Sequence, residues 1–172
     1  MHINTSIKVE LLFGILGIFS GIASTLTFRL MPNAMDLVPG FAFGLAIAAG
    51  FRLMTPDCPL GNFRFVAWVA GSTLCYLCAR FGGGIFLKGL SSPSAGFAVT
   101  GAMGAALVAA LFHHTLAPLG PKQTGLISVL GGFWAWVAME LNVRGYTIEW
   151  PIVLFVGWQA SVAAALGAYI AR

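Results

Sequence analysis

Six apolar stretches follow one another along the chain, and the charged residues fall between them or at their ends. A helix needs about 20 residues, at about 1.5 Å each, to cross about 30 Å of hydrocarbon. The pattern therefore predicts spans at about 9–28, 33–54, 63–79, 96–112, 124–141 and 150–171. Arg29 closes the first and Arg52 the second. Arg64 and Arg80 bracket the third. His113, His114 and Pro118 end the fourth, Glu140 marks the exit of the fifth, and Pro151 and Arg172 delimit the sixth. Asp36 and Pro39 lie near the start of the second, where a carboxylate suits the helix dipole and a proline costs little. The expected fold class is all-α: a polytopic integral membrane helical bundle with six transmembrane helices and short loops. The alternative is four or five spans plus a re-entrant or interfacial segment.

The third and fourth stretches are short for a crossing, which points to local bilayer thinning or discontinuous helices. Between them, Phe81 to Leu90 is rich in glycine yet apolar. It is expected as a loop at headgroup depth, with a re-entrant piece as the other option. Thr55–Pro56–Asp57–Cys58–Pro59–Leu60–Gly61 has the composition of a turn. At the N-terminus, Lys8 and the apolar run from Leu11 have the outline of a secretory signal. The run continues to Phe28, and Glu10 stands where a signal favours positive charge. A first transmembrane helix is the expectation.

Composition agrees with the pattern. The chain is 59% hydrophobic and 8% charged, whereas soluble domains carry roughly 25% charged residues. One transmembrane domain over residues 1–172 accounts for the length. The formal charge of +4 comes from nine Lys and Arg against five Asp and Glu. Nucleic-acid binding needs a dense basic patch, and here the cations are spread singly. No nucleic acid is expected as a partner. The partner the cations suit is the lipid bilayer, as headgroup anchors with snorkelling stems.

Orientation is nearly balanced. Lys8, Arg52, Arg64, Lys122 and Arg172 fall on one side, and Arg29, Arg80, Lys88 and Arg144 on the other. The positive-inside rule leans toward cytoplasmic N- and C-termini in a multi-pass cell-membrane protein of bacterial inner or plasma-membrane type. So even a split also permits dual insertion. The third and sixth spans both carry a Trp in their first half and both end in Ala-Arg, at Ala79–Arg80 and Ala171–Arg172. That likeness suggests an inverted three-plus-three repeat, a common transporter plan.

Lipid supplies no hydrophobic drive between helices, so close packing of small residues must hold them. Small residues recur at four-residue spacing: Gly17 and Gly21, Gly40 and Gly44, Gly101 and Ala105, Gly131 and Ala135, Gly157 and Ser161. They are expected at helix contacts, inside the chain or in a homo-oligomer or a complex with another membrane subunit.

Gln159 is the polar residue nearest the middle of a span. A side-chain amide in hydrocarbon must find a partner. It either bonds a neighbouring helix or, with Trp158, Trp134, Trp136 and Ser161 at similar depth, lines a ligand site or pore. Trp150 and Tyr146 have interface positions. The segment Cys75–Tyr76–Leu77–Cys78–Ala79–Arg80 resembles the membrane-edge CxxC of bacterial disulfide-forming quinone oxidoreductases. That resemblance, over six residues, implies redox work by Cys75 and Cys78. The family also uses a second cysteine pair, and only Cys58 remains, at the far end of the span. Gly14, Gly17 and Val38–Pro39–Gly40–Phe41 resemble the opening hairpin of small membrane subunits of tripartite tricarboxylate transporters, but six spans exceed that family. His113 and His114 are adjacent, so on a helix they point about 100° apart. They suit the interface better than one metal, and His2 is the only other histidine.

No Asp, Glu, Lys or Arg is expected mid-span, and coupled pumps usually keep one there. No catalytic set, metal site or cofactor is legible. The expected function is a small passive channel or facilitator for a small solute or ion, with a path lined by glycine backbone, Ser, Thr and Gln159. The alternatives are a non-catalytic subunit of a larger membrane complex and a thiol or quinone oxidoreductase.

Overall fold

Each apolar stretch becomes a helix in the computed structural model, which describes residues 5–55, 61–87 and 92–170. Among these residues there is no strand. We number the helices α1 (Thr5–Leu30), α2 (Val38–Met54), α3 (Asn62–Leu87), α4 (Pro93–Thr115), α5 (Pro121–Val143) and α6 (Glu149–Ile170). Prolines open α2, α4 and α5, where the missing N–H would have had no partner anyway. Ser92 caps α4 by accepting the Ala95 N–H at 3.4 Å. Five helices are long and apolar enough to cross a membrane, and α2 is a shorter apolar helix of 17 residues. At about 1.5 Å per residue, α2 reaches about 25 Å, the lower limit for a crossing.

The structure corrects several boundaries. The second stretch does not begin as a helix at Asn33: Pro32–Ala34 forms a 3-10 turn, and the helix starts at Val38. The third span does not stop at Ala79. α3 runs through Arg80 and the glycine segment to Leu87, so 81–87 is neither a loop nor a re-entrant piece. A helix can pass a charge that has a partner, and Arg80 pairs with Asp36. The glycines serve packing: a Cβ at Gly83 would lie 3.0 Å from the Thr100 Cβ, and one at Gly82 would lie 3.2 Å from the Met103 methyl. With 26 and 23 residues, α3 and α4 are long enough to cross a membrane, so neither is short. Because α3 continues past Ala79–Arg80, that dipeptide is not the helix end the three-plus-three repeat supposed. Cys58 and most of its turn, His2, Lys88 and Arg172 lie outside the described residues.

Each helix packs on its sequence neighbours, and α6 packs back on α1, which closes a ring of six. α1 and α6 run antiparallel along their whole length: Phe13 meets Gly167, Gly17 meets Ala160, Gly21 meets Val156, and the Phe28 and Trp150 rings stand edge to face at 5.2 Å. The start of α1 and the end of α6 therefore share one end of the bundle.

The small residues sit where backbones touch. A Cβ at Gly17 would lie 2.5 Å from the Gln159 carbonyl oxygen, and one at Gly21 would lie 2.6 Å from the Val156 Cα. Gly40 and Gly44 face Thr73 and Val69 of α3 in the same way. Gly101 of α4 and Gly131 of α5 face one another: a Cβ at either would come within 2.5 or 2.6 Å of the other's carbonyl oxygen. Gly157 lies under the Trp134 ring at 2.6 Å by the same measure.

The half of the bundle nearest the chain ends is filled. Phe13, Ile47, Trp68, Phe112, Ile127 and Leu166 are fully buried there. The Trp68 and Phe112 rings meet edge to face at 5.8 Å, and the indole N–H of Trp68 donates to the Gly44 carbonyl at 2.8 Å. The outer surface carries Leu11, Phe19, Phe63, Leu74 and Val129, each at least 60% exposed. An apolar outside of this extent suits hydrocarbon and not water.

Gly17→Val and Gly101→Val should each destabilise the fold by about 2 kcal/mol or more through forced separation of two backbones. Gly125→Ala should cost nothing, because no atom lies within 4 Å of a Cβ there. Thermal unfolding in detergent micelles, followed by helix content, measures the difference.

Candidate ligand cavity

The other half of the ring is not filled. It encloses a partly open cavity of about 230 Å³. All six helices contribute. The walls are Phe43 of α2, Cys75, Tyr76, Ala79 and Arg80 of α3, Phe97, Thr100 and Gly104 of α4, Ala135 of α5, and Leu154, Phe155 and Trp158 of α6. Phe28 of α1, Met35 and Trp150 line the part nearest the helix ends. Ser72, Val108 and Gln159 line the part nearest mid-bundle, where the filled half begins.

The local structure of α6 sets this arrangement. After Glu149–Ile152 the helix makes a π-helical turn over Val153–Gly157 and resumes as α-helix at Trp158. Such a turn inserts one residue and rotates everything after it, and it recurs at functional sites. It lets Leu154 and Phe155 from before the rotation, and Trp158 and Gln159 from after it, line the same cavity. On the other side, the same turn lies against Gly21.

Gln159 is 3% exposed and is held by α1. Its Nε2 donates to Ser24 Oγ at 3.0 Å, and Ser20 Oγ donates to its Oε1. Ser24 passes its own proton to the Ser20 carbonyl at 2.8 Å. Each group's main hydrogen-bonding demand is met inside this clamp, as a low-dielectric site requires. The amide is thus at once a tie between α1 and α6 and a part of the cavity lining. The serines carried a readable signal, two hydroxyls one turn apart in the first span, yet nothing in the sequence pointed to their partner.

The three mid-depth tryptophans separate. Trp158 lines the cavity, with its ring 5.7 Å from Phe43 and its N–H 3.4 Å from the Gly101 carbonyl. Trp134 covers Gly157 and does not line the cavity. Trp136 is on the outer face, beside Phe133, in a shallow apolar groove between α4 and α5. Ser161 turns its hydroxyl back to the Trp158 carbonyl at 3.2 Å. Among the remaining lining groups, Ser72 donates to the Gly40 carbonyl at 2.9 Å and Thr100 to the Gly96 carbonyl at 2.8 Å.

Arg80 is the residue that sequence reasoning placed wrongly. Expected as a headgroup anchor, it lines the cavity and forms an ion pair with Asp36 of the α1–α2 connection. The paired atoms, Asp36 Oδ1 and Arg80 Nη1, are shielded from solvent, while the side chains as wholes are 43% and 31% exposed. The guanidinium also lies 5.7 Å from the Phe81 ring centre, within the range of a cation–π contact.

Cys75 lines the cavity and Cys78 is exposed on the outside; neither is in a disulfide. His113 accepts the Leu119 N–H at 2.8 Å through Nδ1 and so fastens the α4–α5 turn. Its ring meets His114 edge to face at 4.9 Å. Among the described residues no group of three His, Cys, Asp or Glu side chains is placed to hold a metal ion. Comparison with protein families, with characterised proteins and with solved structures gives no match to this chain.

Gln159→Leu should lower stability by about 0.5–2 kcal/mol, the range for a hydrogen bond between membrane helices. Adding Ser20→Ala should cost little more, because the first change has already broken the clamp. A double-mutant cycle by thermal unfolding reads this coupling, and additive costs would mean the residues act separately.

Proposed function

We propose that the chain is a passive membrane facilitator for a small solute, and that it works as a carrier with one binding cavity rather than as an open pore. The observation that supports this is the one-sided emptiness of the ring: a cavity of about 230 Å³ in one half and a filled core in the other. A water-filled pore would need a continuous path, and the buried cluster that includes Phe13, Trp68 and Phe112 fills the half where it would run. Taking both chain ends as cytoplasmic, the cavity faces outward, and release inward requires the filled half to part. Concave, mostly apolar cavities with few polar groups are the common form of small-molecule sites. Among the described residues, Asp36 balances the charge that Arg80 brings to the lining, and a passive cycle needs no coupling ion. The glycines that would dock a foreign subunit are engaged within the chain, so they lend the subunit reading no support.

The test is uptake into proteoliposomes. Val108→Phe adds a ring at the inner end of the cavity, where empty space can take it. Uptake of a transported solute should fall by about tenfold or more, as expected when the site is occupied by protein, with thermal stability unchanged. Uptake unaffected by this variant would sink the carrier reading.

A further inference from the structure

The walls and the mouth of the cavity make different demands on a ligand. The inner part is built from Phe43, Val108, Phe155 and Trp158, and three of the polar groups beside them already have partners within the protein. Ser72 and Thr100 donate to backbone carbonyls, and Gln159 is clamped by Ser20 and Ser24. A polar body would have to shed its water there without replacement, which costs roughly 2–7 kcal/mol per group. An apolar body of modest size fits instead: an empty apolar cavity of about 150 Å³ holds benzene, and this one is about 230 Å³.

Among the described residues, Arg80 is the one cationic group on the lining. A guanidinium has five N–H donors in a planar fork, and Asp36 is its one ion-pair partner among the described residues. Arg80 therefore keeps donors for a second acceptor, while its charge is already balanced. A carboxylate entering beside it would face the like charge of Asp36 at close range.

We propose that the Asp36–Arg80 pair sets the charge selectivity of this cavity: it takes a neutral solute with an apolar body of about one ring and a single hydrogen-bond acceptor, such as a carbonyl or hydroxyl oxygen, and turns away the matching carboxylate. This rests on the reading of the cavity as a solute site. Asp36 serves as a resident anion, and the spare Arg80 N–H groups orient the solute's oxygen toward the mouth. Asp36 and Arg80 are specificity-determining residues here, and no covalent step is involved.

Cys75 on the cavity wall provides the readout. In a Cys58→Ser, Cys78→Ser protein in proteoliposomes, alkylation of Cys75 by N-ethylmaleimide is timed with acetophenone or with benzoate, a neutral and an anionic ligand of nearly equal size. Acetophenone should slow labelling saturably and benzoate should not. With Asp36→Asn the guanidinium loses its partner, and benzoate should then slow labelling at a concentration about tenfold below the highest that leaves the parent unaffected, the effect of one charge-assisted hydrogen bond. Asp36→Glu, which keeps the charge, should behave like the parent. If benzoate protects the parent protein as well as acetophenone does, charge selection is overturned and the cavity remains a solute site. If neither ligand protects while Val108→Phe still blocks uptake, this inference alone falls. The parent-protein arms decide the matter even if Asp36→Asn does not fold.

Discussion

Backbone contact between α1 and α6 at Gly17 and Gly21 is the constraint on which the rest of the structure depends. In hydrocarbon, apolar side chains gain little by leaving lipid for one another, so association depends on close packing and on interhelical hydrogen bonds. Gly17 and Gly21 let the two backbones come as close as the Gln159 carbonyl and the Val156 Cα allow. That approach brings Ser20 and Ser24, which lie between and beyond the glycines on α1, to the Gln159 amide. The same seam joins the first helix to the last and so closes the ring. Without it the chain would be a row of neighbouring hairpins with no interior.

Closure creates an interior, and the two halves of that interior differ because their side chains differ. Toward the chain ends, Phe13, Trp68 and Phe112 belong to one fully buried cluster. Toward the other end, the inward positions include Gly40, Ala79, Gly83, Gly101 and Gly104, which fill too little volume. Four of the five are glycines at contacts with a neighbouring helix: Gly40 and Gly104 against α3, Gly83 against α4 and Gly101 against α5. The residues that allow helices to touch also leave the space between them empty. The π-helical turn in α6 then presents two successive stretches of that helix, 154–155 and 158–159, to the same space.

Arg80 shows how a strong sequence signal can mislead. A charge at the end of an apolar run is ordinarily an anchor, and on that rule the third helix should have ended before it. The rule assumes that water or headgroups must satisfy the charge. Here Asp36, far away in sequence, does so, and α3 continues for seven residues of a glycine-rich segment after Arg80. The glycines, which suggested a loop, are instead accommodated by Thr100 and Met103 of α4.

The apolar pattern by itself determined the class of the protein, the number and order of its helices, and the positions at which helices must touch. These follow from the thickness of hydrocarbon and from the small set of residues that permits backbone contact, and both are local properties of a sequence. Of the candidate site, Gln159 and Trp158 were legible, because a polar group or an indole at mid-depth is conspicuous. Only the tertiary structure decided that Trp136 faces outward and Trp134 covers a glycine, that Ser20 and Ser24 are the partners of Gln159, and that Arg80 with Asp36 belongs to a cavity. Each of these depends on which face of one helix meets which face of another, and a stripe that is apolar all round carries no mark of its inward side.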